Sequence, residues 1–340
     1  MGINIRELVP RKEISFEELN GKILIIDAFN LLYQMITTIR QRDGTPLLDS
    51  KGNITSHLAG LFSRTTNFME KGMKLVFVFD GEAPALKKEE RARRALIKEE
   101  ALAKYRVAVQ EKDIESMKKY ASRTAVLTKE MIEEAKRLIL AFGLPIIQAP
   151  SEGEAQAAYM VRKGDGYAVV SQDYDSLLYG ATRVIHNLSV AGKKKKGAGF
   201  EKIKPELIVL SEMLNELGID QEQLIVLSML IGTDYNRAGI KGIGPKNGLK
   251  LVKEYKKDFD KLFKDVKWSE YSPHDWKEIF NLFKKMQMTD EYHLTWKKPN
   301  AEKIVELLVG EHDFSKERIT SSLSKIVDTK GHQKGLGEFL

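Results

Sequence analysis

The sequence predicts an α/β fold, with a largely parallel central sheet covered by helices on both faces. Short apolar runs rich in β-branched residues alternate with amphipathic stretches through the first half of the chain. Within each run consecutive residues are apolar and do not alternate with polar ones, which is typical of parallel strands buried on both faces. A length of 340 residues suits about two domains or one large domain with insertions. We expect a single domain over residues 1–327.

The predicted elements follow in chain order. "KILIIDAFN" (22–30) predicts a strand and "LLYQMITTIRQ" a helix, and the next strand is predicted at 74–81. A helix at about 128–142 ends at Gly143 and leads into "LPIIQAP". After it the sequence predicts a helix in "SEGEAQAAYMVRKG", a strand in "YAVVS", a short helix in "DSLLYG" and a strand in "TRVIHNL".

Residues 86–120 interrupt this alternation. They contain eleven Lys or Arg and seven Asp or Glu, without a broad apolar stripe. A helix that is polar nearly all round does not lie flat on a core, so we expect a projecting helical insertion over 82–125. Lys87, Arg91 and Arg94 share one face of this helix and could bind phosphates. A solvated helix laced with salt bridges is the alternative.

Composition narrows the classes of partner and site. The net charge of +7 favours polyanions such as nucleic acid. Cysteine is absent, so disulfides and thiolate metal sites are excluded, and a metal would need Asp, Glu, His or backbone oxygen. The longest apolar run, 224–232, is too short for a membrane span. With no secretory signal at the N-terminus, we expect a cytoplasmic protein with no membrane partner.

Seven carboxylates follow predicted strands or apolar segments: Asp27, Asp80, Glu152, Glu154, Asp173, Asp175 and Asp234. The carboxyl ends of parallel strands meet in one crevice, where converged acids repel one another unless cations neutralise them. Mg²⁺ is the natural cation for an all-oxygen site, and two ions about 4 Å apart would clamp a phosphodiester. Each acid alone could be a helix N-cap, and Ser151 with Glu154 matches the capping box.

A glycine-rich turn is predicted in "AGIKGIGPKNGLKLVKEY" (238–255). Glycines 239, 242 and 244 precede a helix that starts near Lys246, and such a turn offers backbone amides to phosphates. Lys241, Lys246 and Lys250 would add affinity that does not depend on base sequence. A plain helix C-cap and loop is the alternative. The run Lys193–Lys196 either touches duplex phosphates or forms a solvated hairpin loop.

Together these segments resemble the flap endonucleases of the structure-specific 5′-nuclease superfamily, of archaeal type, whose core is PIN-like. The resemblance is carried by "IIDAFNLLYQ", "TSHLAGLFSR", "VFVFDGEAPALKK", "QAPSEGEAQAAYM", "SQDYDSLLYG" and "LIGTDYNRAGIKGIGPKNGLKL". These stretches run in family order over nearly the whole chain.

The resemblance implies an enzyme that cuts one DNA phosphodiester at the base of a 5′ flap, with weaker 5′–3′ exonuclease activity, in Okazaki fragment maturation and repair. It implies that the seven acids hold two Mg²⁺ ions, with Mn²⁺ as a possible substitute ion. Lys87 and Arg94 are implied to contact the scissile phosphate from a helical arch. The mature N-terminus at Gly2 is expected near the active site.

Further residues are implied to bind DNA. Tyr33 matches a tyrosine that stacks on a base, "TSHL" (55–58) resembles part of a pocket for a one-nucleotide 3′ flap, and Arg40 is a further expected contact. A helix–three-turn–helix over 220–260, with an expected K⁺ ion, is implied to grip the duplex. The implied contacts in these two regions are Thr55, Ser56, Lys241, Gly242, Gly244, Lys246 and Lys250.

The tail, residues 328–340, resembles a peptide that binds the sliding clamp PCNA. Its "QKGLGEFL" would place Gln333, Leu336, Phe339 and Leu340 against the clamp. A short peptide of this kind folds one turn on binding and inserts apolar side chains into a groove. Apart from the clamp, we expect a monomer.

Rival interpretations remain open at this point. Within the superfamily, the chain could be mainly a 5′ exonuclease or a bubble-cutting repair nuclease, although its length and compact arch disfavour the latter. From another class, it could be a non-catalytic DNA-binding subunit that tethers partners to a clamp. Such a subunit gains nothing from seven acids that repel DNA.

Overall fold

The computed structural model describes residues 2–111, 113–189, 192–196 and 199–328. Its strands are β1 (Lys12–Glu13), β2 (Ile23–Asp27), β3 (Lys74–Phe79), β4 (Ile146–Gln148), β5 (Ala168–Val170), β6 (Arg183–His186), β7 (Gly192–Lys196), β8 (Gly199–Ile203) and β9 (Glu206–Val209). Seven of them form the central sheet in the order β1-β9-β6-β5-β2-β3-β4. Strands β7 and β8 pair with each other as an antiparallel hairpin.

Parallel pairing dominates the central sheet. Strand β2 lies between β5 and β3, and both of these pairs are parallel, as are β3 with β4 and β5 with β6. Only β9 runs antiparallel to its two neighbours, β6 and β1. The prediction of a largely parallel sheet is confirmed, and the antiparallel edge was not predicted.

Fourteen helices are present in the described residues. They are α1 (Ala28–Thr38), α2 (Ser56–Glu70), α3 (Lys88–Gln110), α4 (Ile114–Ala121), α5 (Lys129–Ala141), α6 (Gly153–Lys163), α7 (Asp175–Leu178), α8 (Leu210–Leu217), α9 (Gln221–Ile231), α10 (Pro245–Tyr255), α11 (Phe259–Asp265), α12 (Trp276–Lys284), α13 (Ala301–Val305) and α14 (Lys316–Asp328). A π-helical turn, Glu306–Glu311, separates α13 from α14. No helix in the part of the chain described above is long and apolar enough to cross a bilayer.

Both faces of the sheet are buried, as the continuous apolar strands predict. Successive strand side chains point to opposite faces, so Leu24 and Ile26 join one hydrophobic cluster and Ile25 the other. Helices α6 to α12 contribute to the cluster that contains Ile25, which we call the α9 face. Helices α1, α2, α5, α13 and α14 contribute to the opposite cluster, which we call the α2 face.

The projecting segment differs from the single helix expected over 86–120, because it contains two helices, α3 and α4. The Asp113 carboxylate accepts hydrogen bonds from the backbone amides of Glu115 and Ser116. Such a carboxylate satisfies the free amides at a helix start, so a new helix begins there. Most described side chains of α3 are at least partly exposed, with Glu90, Ala101 and Ala108 buried.

A segment without regular secondary structure, residues 286–300, carries the chain from the α9 face to the α2 face. We call it the strap. Near its start Gln156 donates a hydrogen bond to the Thr289 carbonyl. Farther along, the Trp296 indole donates to the Leu75 carbonyl and packs against both hydrophobic clusters. The strap therefore fixes α13 and α14 on the α2 face.

A cluster of two histidines and two carboxylates ties the loop before α2 to the helices of the α2 face. Nδ1 of His312 lies 3.0 Å from the Asp49 carboxylate, which can only accept a hydrogen bond when ionised. Nε2 of His57 lies 3.0 Å from Glu134, and Nε2 of His312 lies 3.4 Å from the same carboxylate. We call these four residues the histidine cluster.

Candidate active site

The strand ends bring the predicted acids to one edge of the sheet. Asp27 is the last residue of β2, and Asp80 directly follows β3. Asp173 and Asp175 follow β5, the other neighbour of β2. The remaining three acids are Glu152 and Glu154 at the start of α6, and Asp234 after α9. We call this group of seven the acidic edge.

Backbone and amide donors hold several of these carboxylates. Asp80 accepts from the Gly153 amide at 2.7 Å, which joins β3 to the start of α6. Asp173 and Asp175 accept from the amides of Gly2 and Ile3 at 3.0 and 2.8 Å. A Cβ on residue 2 would lie within 3 Å of both aspartates. The N-terminus can therefore dock against the acids only because residue 2 is glycine.

One of the acids, Asp27, is a helix N-cap, as the alternative interpretation of the acids allowed. The capping box expected for Ser151 and Glu154 does not form. Asp27 caps α1, since its carboxylate accepts from the Asn30 amide at 2.9 Å. This cap ends β2 earlier than the expected residue 30. Glu152, the N-cap residue of α6, makes no capping hydrogen bond with its own side chain. The Ser151 hydroxyl instead donates to the Glu82 carbonyl.

Burial and mutual repulsion disfavour the charged forms of the acids. Burial, followed by repulsion from Asp80, raises the pKa of Asp27 to about 8. Burial and then Glu152 raise the pKa of Asp80 to about 6, and burial and then Asp173 raise that of Asp175 to about 7. Burial and Asp175 also raise the pKa of Glu154. The acidic edge therefore carries more negative charge than its surroundings stabilise.

Two basic side chains from the start of the projecting segment reach the acidic edge. Nζ of Lys87 lies 2.6 Å from Glu152 and 3.3 Å from Asp234. These carboxylates outweigh burial and raise the pKa of Lys87. The Arg94 guanidinium lies 2.6 Å from Asp234. Sequence reasoning predicted both residues as phosphate contacts, and the structure holds them against acids of the same site.

The chemistry of this donor set fits divalent cations, because every predicted ligand is a buried or partly buried carboxylate with surplus negative charge. Within residues 2–328, apart from the gaps noted above, no three acidic or imidazole side chains are arranged to hold a metal ion as they stand. As they stand, Lys87 and Arg94 engage Glu152 and Asp234, and backbone amides engage Asp80, Asp173 and Asp175.

The predicted glycine turn links α9 to α10. Gly239 has φ +56°, and a Cβ there would lie 2.2 Å from the Ile231 carbonyl oxygen, so the close return of the chain requires glycine. Pro245 starts α10 one residue before the expected Lys246. All of the DNA contacts predicted at this turn are exposed: Lys241, Gly242, Gly244, Lys246 and Lys250. The turn thus presents its three lysines and two of its glycines to solvent, as phosphate contact needs.

The other predicted DNA contacts lie in two settings. Tyr33 on α1 is 40% exposed, and Nζ of Lys98 lies 5.3 Å from its ring centroid. Arg40 donates to the carbonyls of Thr37 and Gly44 and so shapes the loop before α2. Thr55 and Ser56 are buried, and the Ser56 hydroxyl accepts from the Leu47 amide. The two buried residues support that same loop from inside.

The predicted clamp-binding residues lie outside the described part of the chain: Gln333, Leu336, Phe339 and Leu340. The backbone of Lys193–Lys196 forms β7, so the lysine run lies in a hairpin strand.

Three residues at the site were missed by sequence reasoning. Asn30 donates to Asp173 from its Nδ2 atom and accepts from the Gln172 amide. Glu90 binds three arginines, and Arg237 reaches Glu90 from the turn after α9. Hydrogen bonds from Arg93, Arg94 and Arg237 outweigh burial and hold the pKa of Glu90 at about 2. The sequence carries one weak signal, the polar Asn30 within an apolar helix start.

Two family models match the chain. The XPG N-terminal domain matches residues 3–101, and the XPG I-region matches residues 143–234. The first range contains Asp27, Asp80, Lys87 and Arg94, and the second contains the other acids of the acidic edge.

Curated relatives and a solved structure match nearly the whole chain. Flap endonuclease 1 of Pyrococcus abyssi is 53% identical, covering 96% of this chain and 94% of that protein. Flap endonuclease 1 of Hyperthermus butylicus is 48% identical, covering 100% and 99%. The structure of flap endonuclease-1 from Methanococcus jannaschii superposes with a TM-score of 0.76 at 42% identity, over 97% of this chain and 100% of that one. On this similarity and the fold described above, the chain belongs to the flap endonuclease family of structure-specific 5′ nucleases, hydrolases that cut DNA.

Proposed function

We propose that the acidic edge is the catalytic centre for cleavage at the base of 5′ flaps, and that it holds two Mg²⁺ ions. The observation that carries this proposal is the meeting of seven carboxylates at one sheet edge, in a state where burial and repulsion disfavour their charge. Bound divalent cations would offset that charge, activate the attacking water and stabilise the leaving oxygen, and Mn²⁺ could replace Mg²⁺.

Lys87 and Arg94 supply positive charge from the protein. Each contacts Asp234 in this structure. A scissile phosphate beside Asp234 could accept the same donors, and the two side chains would then stabilise the negative charge that develops during hydrolysis. Lys87 presents a single ammonium, and Arg94 presents a planar group that can bind two phosphate oxygens. The Gly2 amide donates a hydrogen bond that helps to orient Asp173.

The duplex would bind at the turn between α9 and α10. Lys241, Lys246 and Lys250 are exposed there and suit contacts with the phosphate backbone. Carbonyls of the same turn are the available ligands for the expected K⁺ ion. The exposed ring of Tyr33 offers a surface on which an end nucleotide could stack. We assign the one-nucleotide 3′ flap to the loop that Arg40, Thr55 and Ser56 support.

Residues 1–327 would act as one nuclease domain that includes the helical insertion (82–125) and the helix–three-turn–helix (220–260). Its support is the single sheet with both faces buried. We further propose a cytoplasmic protein that is monomeric apart from the clamp.

Cleavage of a labelled double-flap DNA tests the catalytic proposal. We expect one dominant cut near the flap base with Mg²⁺, no cut with EDTA, and no comparable cut in single-stranded or blunt duplex controls. A D173A variant should bind the junction and fail to cut it. Tight binding by the wild type without a cut in Mg²⁺ or Mn²⁺ would favour the tethering subunit, and normal cleavage by D173A would contradict the assigned site.

The tail needs a separate experiment, because clamp binding and cleavage are independent parts of the proposal. We expect F339A to weaken binding to an archaeal sliding clamp in calorimetry, while its cleavage rate without the clamp equals that of the wild type. Unchanged clamp affinity in F339A would contradict the assignment of residues 328–340.

A further inference from the structure

Glu90 occupies an unusual position at the start of α3. It is 6% exposed on a helix whose other acids that can be compared, Glu99 and Glu100, are exposed. Its two carboxylate oxygens accept hydrogen bonds from the guanidinium groups of Arg93 and Arg94, at 2.7 Å from each Nε atom, and from Arg237. Three guanidinium groups thus converge on one carboxylate.

Through Arg94, this carboxylate is connected to the acidic edge. Nε of Arg94 lies 2.7 Å from Glu90 and Nη2 lies 2.6 Å from Asp234, so one guanidinium bridges the two acids. A planar guanidinium held at two of its nitrogens has little freedom to rotate. The direction in which Arg94 faces the acidic edge is therefore fixed in part by Glu90.

Through Arg237, Glu90 also reaches the turn that would bind the duplex. Arg237 lies in the segment between α9 and α10 and lines a groove of about 420 Å³ beside the acidic edge. The same groove is lined by Gly2, Asp173 and Asp234. A single buried carboxylate therefore joins the start of α3, the acidic edge and the segment between α9 and α10.

We propose that Glu90 is a positioning residue for cleavage, which aligns Arg94 and Arg237 with the phosphate that enters this groove. The inference rests on the proposed function, because it assigns Arg94 to the scissile phosphate. Glu90 itself does not touch the substrate. Its contribution is geometric, since a displacement of about 1 Å in a catalytic group can cost on the order of 100-fold in rate.

A purely structural role for Glu90 predicts a different result when the residue is changed. If Glu90 only attached α3 to the body, its loss would lower thermal stability and junction binding together. A positioning role lowers the rate of the chemical step at saturating enzyme, with junction affinity and stability largely kept. It also makes the effects of losing Glu90 and Arg94 overlap, because both losses remove the same alignment.

The test compares E90Q with E100Q in single-turnover cleavage of double-flap DNA with Mg²⁺. E100Q makes the same chemical change at an exposed position of the same helix and should cut at the wild-type rate. E90Q should cut about 10–100-fold more slowly, with its dissociation constant for the junction in EDTA near that of the wild type. In an R94A background, E90Q should add little further loss.

Three outcomes would overturn the proposal. E90Q could cut as fast as E100Q, or the double variant could lose rate by the product of the losses in E90Q and R94A. The third is a slow E90Q whose weaker binding to the junction accounts for the whole loss of rate. If circular dichroism shows that E90Q does not fold, E90D provides the same test, because it keeps the charge on a shorter side chain. D173A, assayed in parallel, separates this inference from the proposed function. An active D173A would contradict the site, whereas an inactive D173A with normal E90Q would contradict only the role of Glu90.

Discussion

The acidic edge and the histidine cluster both gather ionisable side chains at buried or half-buried positions, and they differ in how many of their carboxylates have an imidazole or basic side chain as a partner. In the histidine cluster His312 lies between Asp49 and Glu134, His57 lies beside Glu134, and each carboxylate has an imidazole nitrogen at 3.0 Å. Among the residues that the structure describes, two basic side chains lie within ion-pair distance of the seven carboxylates of the acidic edge, Lys87 and Arg94. A buried carboxylate with a hydrogen-bonding partner can stabilise the fold, whereas surplus charge of one sign is costly and indicates a site that takes cations.

The largest effect is expected from D175N, which lowers the surplus charge and keeps the oxygen that accepts from the Ile3 amide. Cleavage should fall by about 1000-fold or more, since metal stabilisation is worth several kcal/mol. The melting temperature in EDTA should stay unchanged or rise, because a carboxylate with a pKa near 7 is destabilised by burial and repulsion. Cleavage assays and thermal denaturation check both halves. If D175N kept its activity and its melting temperature fell strongly, Asp175 would stabilise the fold and would not belong to a cation site.

The second largest effect is expected from changing Lys87, whose positive charge offsets part of the negative charge of the acidic edge. We expect K87A to lower the single-turnover rate by about 100–1000-fold, as loss of one electrostatic contact to the developing charge does in other enzymes. Junction binding in EDTA should change little, because Lys87 is one of many basic groups. K88A, which changes the neighbouring lysine, is the matched control. Equal rates for the two variants would remove Lys87 from the chemistry.

The smallest effect is expected in the histidine cluster and concerns stability. Burial opposes ionisation of Asp49, but hydrogen bonds from Asn53, His312 and Lys51 outweigh it and hold its pKa at about 2, below the ordinary 3.8. The ionised form therefore stabilises the fold fully above about pH 4, and this contribution is lost as pH falls through about 2. D49N should lower the melting temperature by several degrees at pH 7 while cleavage continues.

The gap between D49N and the wild type should narrow as the pH falls from 4 towards 2, which thermal denaturation at a series of pH values measures. K277Q is the control, since Lys277 and Asp260 form an exposed ion pair of the kind that contributes little. A constant gap between D49N and the wild type over this range would show that the charge on Asp49 does not act as described.

Sequence reasoning predicted the features that depend on local pattern. The apolar runs of β2, β3 and β5 are continuous, so their burial on both faces and the acids after them followed directly. Strand β1 has two exposed residues, Lys12 and Glu13, and pairs with β9 almost 200 positions later. Glu90 has Arg93 and Arg94 three and four positions later, which is a local pattern for helical ion pairs. Its contact with Arg237, 147 positions away, has no such pattern. Contacts of this kind leave no local pattern to read.

The strap also determines on which face of the sheet the tail begins, and therefore where a clamp bound to the tail would lie. It returns the chain to the α2 face, so α14 ends opposite the helices that form the turn between α9 and α10. The twelve residues that follow Asp328 can span at most roughly 40 Å when fully extended. A sliding clamp bound to those residues would therefore lie on the α2 face, within that distance of Asp328. The turn between α9 and α10 would stay accessible to duplex DNA.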